Sequence, residues 1–127
     1  MPTLRLSFEN GPEISVTLRE DETATVEKVL SSIPFRAKVN RWGDEVYFDA
    51  PVSAELEEDA RAAMDVGEVA FWPDGSAMAI FFGPTPVSTD GRPRAYSACN
   101  VLGEVSGDAT LLRSVVTGSS VEVSREP

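Results

Sequence analysis

Hydrophobic and polar residues alternate from the start of the chain. Leu4, Leu6 and Phe8 share one face of Thr3–Glu9, and Ile14, Val16 and Leu18 share one face of Glu13–Arg19. A period of two sends such side chains to one side of a strand. Asn10-Gly11, between the two runs, suits a tight antiparallel hairpin. The period then changes: Val26, Val29, Leu30 and Ile33 fall at i, i+3, i+4 and i+7, which predicts an amphipathic helix over Glu22–Ile33. Asp21 or Thr23 is placed to cap that helix and Pro34 to stop it. Phe35–Asn40 and Glu45–Asp49 read as short strands around the loop Arg41-Trp42-Gly43-Asp44.

Ala50–Val66 loses strand character. Its alanines favour a short helix, whereas its thin apolar stripe favours an irregular connection. Two apolar runs follow, Glu68–Pro73 and Ala77–Phe82, joined by Pro73-Asp74-Gly75. Proline pre-sets one turn dihedral and glycine can supply a positive φ, so the pair reads as a hairpin. The second run is almost wholly apolar, as expected of a strand covered on both faces. Pro84–Ser97 reads as a long loop, Ala98–Val105 as another strand and Ser119–Ser124 as the closing one. Between the last two, Asp108 caps a short helix carrying Leu111, Leu112 and Val115, with Gly118 at its end. The pattern yields about eight strands and two helices, mostly hairpin-linked, which predicts a mostly β, antiparallel barrel in a single domain over residues 1–127.

Composition narrows the chemistry. Twenty-one acidic and 11 basic residues give a net charge of −10, which disfavours nucleic acid as a partner. There is no histidine, so Ser-His-Asp and Cys-His catalysis and the commonest metal ligand are excluded. One cysteine, Cys99, can form neither an internal disulfide nor a sulfur-rich zinc site. No leader pattern and no apolar run of about 20 residues is present, so a cytoplasmic chain without a membrane partner is expected.

Four ordered motifs carry a family resemblance. They are Trp42-Gly43-Asp44-Glu45-Val46-Tyr47-Phe48, Gly67-Glu68-Val69-Ala70-Phe71-Trp72-Pro73, Phe81-Phe82-Gly83-Pro84-Thr85-Pro86, and Asn100-Val101-Leu102-Gly103-Glu104-Val105 followed by Leu111, Leu112 and Val115. On these motifs the chain resembles the short prokaryotic cyclophilin-like family, atypical small members of the cyclophilin barrel fold, and the resemblance covers nearly the whole chain, from Thr3 to Val123. The resemblance implies a closed eight-stranded cyclophilin-like barrel with two capping helices. It also implies a region where cyclophilins hold a proline ring: Phe82 matches the pocket phenylalanine, and Arg36 and Arg41 lie near the place of the catalytic arginine. The family's histidine and glutamine have no counterpart, since the chain contains neither residue, and its tryptophan has none between Val87 and Gly91.

Two functions follow as expectations. The first is a non-catalytic module binding a proline-containing peptide or a small molecule, without cofactor or metal. Its candidate cleft comprises Trp42, Tyr47, Phe82, Pro84, Thr85 and Tyr96, with Arg36 and Arg41 nearby. Aromatic residues suit such a cleft because they combine large apolar area with a polar handle. The alternative is an atypical peptidyl-prolyl isomerase in which Phe82 holds the proline and Arg36 or Arg41 polarises the amide. Other residues carry plainer expectations. Trp72 packs in the sheet, Pro84 and Pro86 stiffen a strand exit, and Cys99 is a small buried hydrophobe. Asp44, Glu45 and Asp49, and the run Glu55–Asp59, read as solvated acidic faces. One of Phe81 and Phe82 is core and the other faces a cleft.

Overall fold

A computed structural model describes residues 2–126. Its strands are β1 (Thr3–Phe8), β2 (Glu13–Leu18), β3 (Phe35–Arg41), β4 (Glu45–Asp49), β5 (Arg61–Ala63), β6 (Glu68–Trp72), β7 (Ala77–Phe81), β8 (Arg94–Ser106) and β9 (Ser120–Arg125). The hydrogen-bonded order is β2-β1-β9-β3-β4-β7-β6-β8-β5, and an additional β2–β8 pairing closes eight of these strands into a ring. All pairings are antiparallel. β8 is the longest strand: its C-terminal end pairs with β2, its middle with β6, and its N-terminal half with the short β5.

The alternation seen in the sequence fills the ring. Leu4, Leu6, Val16, Leu18, Phe48 and Ile80 are buried in one continuous core. Helix α1 (Ala24–Ser32) closes that core with Val26 and Val29, both fully buried. The Thr23 side chain accepts from Val26 N, so Thr23 is the cap, while Asp21 is turned to Arg19. The second helical segment is a 3-10 helix, Ala109–Ser114, capped by Asp108 and contributing Leu112 to the core. No helix among the described residues is long and apolar enough to cross a membrane.

Three sequence readings change: one open choice is resolved and two expectations are corrected. Ala50–Val66 contains no helix; it runs irregularly into β5. The reason is a polar anchor that chain periodicity does not display. Asn100, fully buried, accepts from Glu57 N and donates to Glu55 O and Thr25 Oγ1. The Glu57 carboxylate also accepts from Thr25 N and Oγ1 at the start of α1, so Glu57 is not part of a solvated face. Second, the loop after β7 is shorter than Pro84–Ser97, because β8 starts at Arg94 and places Tyr96 on a strand. Third, Pro73–Gly75 forms a 3-10 turn in which Ser76, at φ 48°, takes the left-handed conformation. Gly75 is required for a different reason: a Cβ there would collide with the Trp72 ring.

Candidate functional site

β4, β7, β6 and β8 lie side by side, and their outward residues form a second apolar layer outside the ring. Met64, Ala70, Ala79, Phe81, Ala95 and Cys99 are its buried members. β7 is therefore buried along its whole length, as its apolar sequence requires. Phe81 belongs to this outer layer and Phe82 to the ring core, so both rings are inaccessible.

A cavity of about 290 Å³ opens in this layer. Its origin is a mismatch of side-chain size across the strands. Ala79 of β7 stands opposite Tyr47 of β4, and Ala77 stands opposite Trp72 of β6. Small residues on the middle strand leave a trough between aromatic walls. Trp42, Tyr96, Ala95, Cys99 and Glu45 complete the lining. Tyr96 is 74% exposed and bridges the two tryptophans, with ring centroids 6.3 Å from Trp42 and 6.1 Å from Trp72, both edge-to-face. Trp72 is fixed from behind by Nε1–H donating to Ser97 Oγ at 2.7 Å.

Trp42 owes its position to Arg41. The Arg41 guanidinium donates to Arg113 O, Val115 O and Gly43 O and lies 5.0 Å from the Phe82 ring centroid. It staples the turn before β4 to the 3-10 helix. The turn is also held by Asp44 N donating to Pro84 O and Phe82 N donating to Asp44 O.

Glu45 is the most unusual residue of the lining. It is only 8% exposed, and its Oε1 is buried without a hydrogen-bond partner among the described residues. Desolvation alone raises its pKa to about 8; no neighbouring cation or hydrogen bond opposes the shift. Burial therefore favours the protonated carboxyl at neutral pH. Burial also pushes the Cys99 thiol up to about 12, with smaller contributions from Glu45 and Asp74, which leaves it a poor nucleophile.

Of the residues singled out from the sequence, the structure brings Trp42, Tyr47 and Tyr96 together in the lining. It does not bring in the others. Phe82 is core, and Thr85 is buried with its hydroxyl donating to Arg94 O, anchoring the start of β8. Pro84 is exposed and its carbonyl serves the Asp44 turn. Arg41 is spent on backbone carbonyls, and Arg36 lies on β3 beside Glu122 of β9 with most of its side chain in solvent. The residues that sequence reasoning missed are Glu45 and Trp72. The signal for Glu45 was available: it shares a face with Tyr47, and that face adjoins a strand apolar on both sides, so it has to be covered.

The comparisons with known proteins agree with this architecture. The family model described as cyclophilin-like matches residues 2–124. A hypothetical protein from Archaeoglobus fulgidus, known from a solution structure, is 38% identical and superposes with a TM-score of 0.83 over 98% of this chain and 95% of its own. No curated protein matches the sequence. A closed antiparallel ring, two capping helical segments and a sequence match over nearly the whole length lead to one assignment: the chain belongs to the cyclophilin-like family.

Proposed function

We propose that this protein is a non-catalytic binding module that takes a small molecule, or one side chain of a peptide, into the cavity between Trp42, Tyr47, Trp72 and Tyr96. The observation that supports this reading is the cavity itself, with an alanine floor, four aromatic walls and one buried carboxyl without a partner. Few convergent polar groups in an apolar recess are the usual composition of a ligand site. Its volume, about 290 Å³, corresponds to roughly ten waters at ~30 Å³ each, which suits a small ligand or a single side chain. The reading extends to a cytoplasmic protein without a nucleic-acid partner, supported by the single cysteine and the net charge of −10.

The isomerase alternative is the weaker reading. Phe82, Arg36 and Arg41 do not meet in the cavity, and Arg41 commits its two terminal nitrogens to backbone carbonyls elsewhere. NMR separates the two. Titration of isotope-labelled protein with a proline-containing peptide and a fragment mixture is expected to shift the Trp42 and Trp72 indole and the Ala77 and Ala79 methyl signals. The cis/trans exchange rate of the peptide is expected to stay unchanged. Silence of the wall residues throughout would overturn the binding reading, and accelerated exchange would overturn its non-catalytic part.

A further inference from the structure

We propose that the cavity selects an organic cation, an ammonium group of the size of a quaternary or protonated amine, with the Glu45 carboxylate as its counter-charge and Trp42, Trp72, Tyr47 and Tyr96 around it. This inference rests on the binding reading above and names the ligand class.

Three independent features converge on it. First, Glu45 is only 8% exposed and its Oε1 is buried and unpaired, which is costly and unexplained by the fold. No hydrogen bond among the described residues makes it a structural tie. Second, the walls are four aromatic rings, whose faces attract a cation more strongly once water is excluded. Rings and carboxylate together satisfy a positive charge from several sides, whereas an anion or a neutral acceptor would engage only the protonated carboxyl and gain nothing from the ring faces. Third, the chain as a whole carries ten negative charges in excess, so cations are concentrated near its surface and anions are not.

A cation also reverses the protonation of Glu45. Burial alone acts on the carboxyl and favours its protonated form at neutral pH. An ammonium group beside it supplies the missing compensation and drives that proton into solvent. The other ionisable groups of the lining are the Tyr47 phenol on β4, the Tyr96 phenol on β8 and the Cys99 thiol on β8. Asp44 is turned to Arg41, and Asp74 lies on the adjoining turn. Glu45 is the member of this set positioned to exchange a proton with a bound cation.

The test compares choline with 3,3-dimethylbutanol, its neutral isostere, by calorimetry and NMR on the intact protein and on Glu45→Gln. The expected result is at least a tenfold preference for choline at pH 7. About one proton should be released per choline bound, seen as a binding heat that changes with buffer ionisation enthalpy. Glu45→Gln should lose that preference and the proton release while keeping its affinity for the neutral isostere. Equal binding of both probes, unaffected by Glu45→Gln, would overturn the cation inference and leave the binding reading standing. Failure of both probes to shift any wall resonance would count against both. Tyr96→Ala, an exposed substitution, serves as a folded control expected to weaken both probes together.

Discussion

Glu45 concentrates the energetics of this protein in one side chain. Its carboxyl ionises near pH 8 in the native state against 4.5 ordinarily. At pH values below the ordinary one, both native and unfolded chains hold the proton and it contributes nothing to pH dependence. As pH rises between those two values, the unfolded chain releases its proton first, so native stability falls, by at most ~1.4 kcal/mol per pH unit. Above about pH 8 the native group is ionised as well and the loss is complete. Glu45→Gln is therefore expected to be more stable than the parent at pH 8, with the difference shrinking toward zero near pH 4. Thermal melts by circular dichroism across that range check it, and a pH-independent difference would show that the group is not desolvated as described. Cys99 gives a companion prediction: its buried, high-pKa thiol should be alkylated orders of magnitude more slowly in native protein than in urea.

At the scale of elements, the cavity depends on two tethers that hold non-regular chain against strands. Arg41 ties the Trp42 turn to the Ala109–Ser114 helix through carbonyl oxygens that would otherwise end that helix unsatisfied. Arg41→Ala is expected to cost about 1–3 kcal/mol in denaturant titration and to broaden the Trp42 indole resonance. Unchanged stability would show the tether to be idle. Asn100 does the same for the segment before β5, and Asn100→Ala leaves Glu57 N and Glu55 O without their partner. A loss of about 2–3 kcal/mol is expected there, read from the urea midpoint. These tethers mark where the sequence was legible and where it was not. The periodic elements, β1, β2, α1, β4, β6 and β7, follow from alternation, capping and turn residues that act locally. Ala50–Val66 and the start of β8 are set by Asn100 and Thr85, partners remote in sequence whose roles leave no periodic trace. The same limit explains the site. Trp42, Tyr47 and Tyr96 were recognisable as aromatic candidates, but the trough that unites them with Glu45 depends on which alanine lies opposite which ring.

The whole molecule is held by closure of its ring. β2 meets β8 where Gly103 passes so near Thr17 that an added Cβ would overlap the Thr17 carbonyl. Gly103→Val is expected to open this seam: amide exchange should accelerate in β2 and in the C-terminal end of β8 before it does in β4 and β7. Uniform exchange across all strands would show that the seam has no separate weakness. Because β8 also carries Ala95, Tyr96 and Cys99, one strand serves both the seam and the cavity.

Trp42 and Trp72 are the only two tryptophans in the chain, and both stand in the cavity wall. The protein's intrinsic indole fluorescence thus arises entirely at the candidate site. Its emission wavelength reports how wet that wall is, and energy passing from Tyr96 to its two indole neighbours reports whether the exposed ring is seated. An unlabelled sample in a cuvette therefore carries a built-in optical probe of occupancy, silent about the rest of the ring until the fold itself is lost.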